Sequence, residues 1–377
     1  MKLTDDDIRY IEYLQGQLLQ DDWEPIFDAQ KWKSWTADNV DRIRILAEHT
    51  LGSNPESLTE YLEFYSSFEP RTKYEVPATK PIFEPILEEV QKAASEIGIK
   101  LTRPVVLFSS TDISATPAAR PTSTEHLLFA GPGTYAFCNY WGKSLTAVTM
   151  ALAPSIGFKR IETQDDLDAA FRMDPRGLIL AARLALHYAA FGTLIGFGEV
   201  QQPAIYTAYR IQLVDAMETF AIAHEYAHFV AEENLVEFSG ALEPARNQAL
   251  ELFCDQLGIA IGRECGNATD NYLKFAGIGA LVSFRAIQLC ESVRQFLFAS
   301  IPELMKDKKL GGSSGSHPSP EERIENIKLY LYNHTAPDQR QELEQFVEEY
   351  DRILSRISAI VTMAVASVQA PGNSHGP

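Results

Sequence analysis

Apolar residues along this chain fall mostly at three- and four-residue intervals, the spacing of helices that bury one face. Residues 5–20 read as a helix through Ile8, Ile11, Leu14 and Leu18. The same period continues at 40–51 and 58–68. Residues 70–85 carry enough proline to read as a linker, and 86–97 form a further helix. Short apolar runs then replace the helical period. Val105 to Phe108, 127–130, 135–140 and 145–150 predict a small antiparallel sheet, with Gly131-Pro132-Gly133-Thr134 as a turn between two of the strands. Residues 111–124, rich in Pro, Ser, Thr and Ala, read as a loop.

From Leu167 onward the helical period returns. Asp174-Pro175-Arg176 opens a helix carrying His187, which we read as structural, and 276–297 form another apolar helix. A long helix at 342–368 repeats Leu343, Tyr350, Ile357 and Ala364 at sevenfold spacing, a stripe we expect to pack on the body of the chain. The fold class is mainly α, in the α+β sense. The expected domains are a helical N-terminal lobe at 1–98, a main domain at 99–335, a C-terminal helix at 336–369 and a disordered tail at 370–377, where His375 has no evident partner. Trp23, Trp32 and Trp35 read as packing residues of the first lobe.

Composition narrows the class. A chain of 377 residues with 45% apolar and 22% charged residues has the make-up of a soluble globular protein with a full core. The first residues are acidic, with no apolar stretch of a signal peptide behind them. Arg183 and His187 interrupt the longest apolar stretch, 177–198, which argues against a membrane span and for a cytoplasmic protein. A net charge of −18 disfavours nucleic acid, whose phosphates need a basic surface. The four cysteines, Cys138, Cys254, Cys265 and Cys290, show no paired spacing and read as reduced, mostly buried thiols.

The chemistry concentrates in His224-Glu225-Tyr226-Ala227-His228. Histidines four apart on a helix stand about 40° apart around it and about 6 Å apart along it, so both imidazoles reach one metal ion. Glu225 flanks that face, placed to take a proton from water without itself being a ligand. A catalytic zinc usually takes three protein ligands. A second helix, opened by Pro244, supplies a candidate third in Glu251, with Asp255 one turn later on the same face. Two acids among Leu250, Phe253, Cys254, Leu257 and Ile261 are costly to bury unpaired. A cation on Glu251 and a ligand histidine on Asp255 would remove that cost.

His-Glu-x-x-His followed by Glu-x-x-x-Asp on a second helix resembles the gluzincin metallopeptidases. The wording Glu251-Leu252-Phe253-Cys254-Asp255 is similar to the HtpX and CAAX-prenyl-protease family. His317-Pro318-Ser319-Pro320-Glu321-Glu322-Arg323-Ile324 resembles a further signature of that family, and its Ser319 to Glu322 read as a helix cap. The resemblance covers roughly residues 205–330. It lacks the transmembrane helices of that family, and the soluble phage-exclusion peptidase Lit offers a second comparison. The resemblance implies a zincin-like core whose sheet edge pairs with extended substrate. It further implies zinc on His224, His228 and Glu251, Asp255 orienting His224, and His317 and Arg323 near the metal centre stabilising charge on the substrate or on Glu251. The expected function is a soluble zinc-dependent endopeptidase acting on a protein or peptide, with Glu225 as general base. The alternative is a non-catalytic sensor or binding module of the same fold.

Overall fold

The computed structural model describes residues 4–18, 67–76, 79–109, 114–155, 163–234, 244–300 and 317–369, with isolated positions between 34 and 63. Trp23, Trp32, Trp35, most of the helical stretches expected at 40–51 and 58–68, the glycines of 311–315 and the tail 370–377 lie outside the described residues.

In chain order the elements are α1 (Asp5–Leu18), α2 (Lys80–Glu96), β1 (Val105–Ser109), β2 (Ala118–Pro121), β3 (His126–Ala130), α3 (Pro132–Ser155), α4 (Gln164–Met173), α5 (Arg176–Phe191), α6 (Thr207–Asn234), α7 (Pro244–Thr269), α8 (Tyr272–Phe275), α9 (Ile278–Ser300), α10 (Pro320–Asn333) and α11 (Pro337–Gln369). The chain is mainly helical, as expected. The linker ends earlier than read: α2 begins at Lys80, with Pro81 in its first turn, where a missing N–H leaves no helical bond unmade, and Pro85 carried inside.

The sheet differs from the expected one. Its order is β1-β3-β2, with β3 parallel to β1 and antiparallel to β2, so it is mixed rather than antiparallel. Residues 135–140 and 145–150, expected as strands, lie in α3, and Pro132 is the first residue of that helix rather than part of a turn. Ala136, Phe137, Trp141, Leu145 and Val148 are all buried. A helix so widely buried lacks the polar stripe that declares its period, and short apolar runs then read equally well as strands. Strand β2, conversely, comes from the segment expected as a loop. It lies at an edge, half exposed, and ends on Pro121, a residue that edge strands tolerate.

Strand β3 is buried on both faces. Leu127 and Phe129 pack with Phe108 and with Ile11 of α1, whereas Leu128 and Ala130 face α2, α6 and α7. Gln15 of α1 donates to the Ser109 carbonyl at 3.1 Å and accepts from Thr72 Oγ1 at 2.7 Å. Within the stretch 1–98, therefore, α1 packs on the sheet and α2 packs on α6 and β1. Helix α11 packs on α9 and α5, burying Leu343, Tyr350 and Ile357 within the chain.

Helix α6 lies at the centre, against α7, α9, α3, α2 and the sheet. Leu213, Met217, Ile222, Ala223 and Phe229 are fully buried, while Ile211 near the start of the helix is 50% exposed. Two glycines let neighbouring helices come close. A β-carbon on Gly258 of α7 would stand 3.1 Å from the His224 nitrogen, and one on Gly279 of α9 would collide with the Ala216 carbonyl. Tight contact on two sides fixes the height and rotation of the histidine-bearing turn.

Candidate metal centre

Three helices bring the expected residues together. Helix α6 carries His224, Glu225 and His228, α7 carries Glu251 and Asp255, and α10 carries Arg323, with His317 three residues before its start. The start of α10 is a full capping box. The Ser319 hydroxyl accepts from the Glu322 N–H, the Glu322 carboxylate accepts from the Ser319 N–H, and Pro320 opens the first turn. The cap read from the sequence is therefore present.

Ligand-type atoms of His224, Glu225 and His228 all lie within 4.8 Å of one another, a group that could hold a metal ion. Glu251 faces the same two imidazoles. His224 Nε2 is 3.4 Å from one of its oxygens, and His228 Nε2 is 3.7 Å from the other. The opposite nitrogen of His224, Nδ1, lies 3.0 Å from Asp255 Oδ1, within ion-pair distance although off the angle of a hydrogen bond. Asp255 is fully buried and is gripped by Arg323, whose Nε and Nη2 donate to its two oxygens at 2.8 and 2.6 Å. Arg323 Nη2 also lies 3.5 Å from Glu251, and the guanidinium stacks on Phe284 at 4.2 Å.

Both carboxylates compete for positive charge here. Burial works against a charged His224, yet Asp255 and Glu251 outweigh it and hold the imidazole up at about 9. His228 goes the other way, pushed down to about 4 by burial and by its neighbour His224. Burial likewise opposes the charge on Glu251, but His224, His228 and Arg323 hold it down at about 2. The pocket thus favours an ionised Glu251, a neutral His228 and a His224 whose proton is drawn by both Asp255 and Glu251. Two imidazoles and a carboxylate are also the donor chemistry of a zinc site, so these residues fit the ion.

Glu225 is set apart from the other acids. Burial is the main reason its carboxyl is pushed up to about 7, with the nearby charge of Glu251 adding to it. Its Oε2 accepts the Ala119 N–H of β2 at 2.8 Å. A carboxyl held near neutrality suits proton transfer better than ligation. Cys254 is fully buried, and burial followed by the Glu251 and Glu225 charges raises its thiol, which disfavours the thiolate a metal needs.

These groups open into a cleft of ≈ 690 Å³ between β2 and α6. Phe137, Phe220, Phe284 and Ile287 give it apolar walls, while His317 lies at its lining with 57% of its side chain exposed. His317 Nε2 is 3.6 Å from Glu251 Oε1. His317 and Arg323 thus both lie within 3.6 Å of Glu251. Arg323 commits Nε and Nη2 to Asp255, tying α10 to α7, and it also lines the cleft. Ala119 turns its N–H out of the sheet, and period-two alternation turns Pro117 and Pro121 the same way, where neither has an N–H to offer.

Nothing in the residue types announced the Ala119 amide, because a backbone group leaves no trace there. Phe284, beneath Arg323, was one apolar residue among many. Gly258 did leave a signal, as a glycine inside a helix that marks close approach. His187 lies among Phe191 and Phe197, at 4.7 and 5.4 Å between rings, away from the centre and consistent with a packing role. All four cysteines are buried and free. Among the described residues no helix is long and apolar enough to cross a membrane. Compared with protein-family models, curated proteins and solved structures, the chain matches none.

Proposed function

We propose that this chain is a zinc-dependent endopeptidase of gluzincin type, with His224, His228 and Glu251 as the metal-holding residues and Glu225 as general base. The observation that carries the reading is the division of labour between two acids. Glu251 lies between two imidazoles and is held ionised, whereas Glu225, buried beside them on the cleft wall, is held near neutrality. Zinc bound there would polarise a scissile carbonyl and acidify a water molecule. Glu225 would take the proton of that water and hand it to the leaving amine. Asp255, clamped by Arg323, would keep His224 turned toward the ion. An extended peptide would lie along β2, donating its own N–H groups to outward carbonyls of that strand.

The non-catalytic alternative gains no support from Glu225, since a site that only binds has no use for a buried acid near neutrality. The test is zinc analysis of the purified protein, together with a comparison of peptides generated in a proteome by the wild-type chain and by Glu225→Gln. Equal peptide patterns from a zinc-loaded wild type and the variant would sink the peptidase reading.

A further inference from the structure

Strand β2 presents its outer edge to the cleft, and the middle of that edge is already occupied. Ala119 pairs with Leu128, and its N–H turns out to Glu225 rather than in to β3. In an antiparallel ladder the N–H and C=O of one residue point the same way, so the Ala119 carbonyl also faces outward. It accepts a hydrogen bond at 2.8 Å from Nη1 of Arg120, the next residue along. Arg120 lies opposite Leu127, which puts its β-carbon on the face of the sheet that carries Phe108 and Phe129. Its side chain therefore curls around the strand edge to reach the carbonyl.

Arg120 also differs from other charged residues of the cleft wall. Arg323 is paired with Asp255, and Glu232 with Arg103. Among the described residues Arg120 has no carboxylate at ion-pair distance, and its exposed guanidinium rests on a neutral carbonyl. Its charge is felt at Glu225, where it favours the ionised carboxyl against the burial that opposes it. An extended peptide adding to β2 needs the Ala119 carbonyl for one of its own N–H groups. Arg120 has to let go first. A guanidinium released into a filling cleft is best satisfied by a carboxylate, which takes two of its N–H groups at once. A neutral or basic segment offers no such exchange. The net charge of −18 acts against acidic partners at long range, but salt screens that field over about 8–10 Å, so the nearest charge decides.

We propose that Arg120 selects the substrate, admitting segments that carry an aspartate or glutamate close to the scissile bond. The proposal rests on the peptidase reading above and names its substrate class. The acid of the substrate takes the guanidinium, and the freed Ala119 carbonyl takes a peptide N–H. Recognition of the side chain and docking of the backbone are thus one exchange of hydrogen bonds, with no covalent bond formed or broken.

The test begins with zinc-loaded, full-length wild type and Arg120→Glu acting on a chymotryptic digest of a whole proteome, whose peptides keep their internal acids and bases. Mass spectrometry of the new ends should show Asp or Glu enriched at one fixed position near the cut for the wild type. For the variant it should show Lys or Arg there. A capped peptide from the wild-type set is then compared with its amide twin, in which that acid is Asn or Gln. The acid should raise kcat/KM by at least about 10-fold, the size of one charge-assisted hydrogen bond, and the preference should vanish in Arg120→Ala. Calorimetric binding of both peptides to zinc-loaded Glu225→Gln should show the same preference without turnover. Arg120 is exposed, so its variants should fold, which circular dichroism checks. An acid preference that survives in Arg120→Ala, an equal loss on both peptides, or a wild-type set without acid enrichment would overturn the proposal and leave the peptidase reading standing. A zinc-loaded wild type that cuts nothing would overturn the peptidase reading, and selection by Arg120 with it.

Discussion

Arg323 and Asp255 form a two-pronged ion pair, 2.8 and 2.6 Å between their atoms, joining a helix near the end of the chain to the second helix of the metal centre. Asp255 has no exposed surface, and the Arg323 side chain is 14% exposed. Taking away one partner strands the other charge in the interior. Arg323→Ala is therefore expected to lose about 3–5 kcal/mol of stability, the usual cost of breaking a buried pair from one side. Chemical denaturation of the apo-protein measures it. A loss under about 1 kcal/mol would mean that water reaches Asp255 and replaces the guanidinium.

Metal content separates ligands from the base. The wild type is expected to hold about one zinc per chain. His228→Ala and Glu251→Ala should lose most of it, while Glu225→Gln should keep it. Elemental analysis showing full zinc in Glu251→Ala would hand the third position to another acid, with Glu225 the nearest.

Asp255→Asn tests orientation rather than charge alone. An amide fills the same space but gives up the anion that Nδ1 of His224 faces. Zinc affinity should fall roughly 10–100-fold while the fold is kept. Equal affinity would return Asp255 to the role of an anchor for Arg323.

Acid should weaken the junction of α6 with the sheet at a defined place. Glu233, its side chain 5% exposed, accepts from the Thr102 and Arg103 N–H groups, from Arg103 Nε and from His126 Nε2, at 2.5, 3.0, 3.0 and 2.7 Å. Burial opposes its charge, but these bonds outweigh it and hold the carboxyl down at about 2. A depressed folded value means stabilisation that is complete above the unfolded value of 4.5 and lost as pH falls from there toward 2. The difference in Tm between wild type and Glu233→Gln should therefore be constant above pH 5 and shrink steadily between pH 4.5 and 2. A difference independent of pH would show that the amide replaces the carboxylate without loss.

Gly279→Ala sets helix propensity against packing. In an open helix the change gains roughly 0.5–1 kcal/mol. Here the new methyl meets the Ala216 carbonyl of α6, which is backbone and cannot rotate aside. Destabilisation of about 1–3 kcal/mol is expected, as for other overpacked interiors. Stabilisation on a denaturant curve would show that α9 can slide away from α6 at little cost.

The two helices of the candidate metal centre were legible because their chemistry is local. His224, Glu225 and His228 fall within five consecutive residues, as do Glu251 and Asp255, so residue spacing alone brings each set together on its helix. The cap at Ser319 was legible for the same reason. The sheet was not, because strand identity depends on partners distant in sequence. Leu127 to Ala130 and Tyr135 to Tyr140 have much the same apolar character, yet one pairs with β1 and β2 and the other coils into α3. The pairing of Arg323 with Asp255 was also out of reach, since the resemblance placed Arg323 only near the metal centre, and it is the packing of α10 on α7 that brings the two side chains together.

Pro117 and Pro121, on either side of the outward-facing Ala119, leave β2 an edge that accepts but scarcely donates. A stray strand seeking to extend the sheet would meet a single amide, already engaged by Glu225. Growth into an aggregate by edge pairing needs a repeating ladder of donors and acceptors, and here the donor half is missing. The same border at which a peptide substrate is proposed to lie thus resists becoming the seed of a fibre.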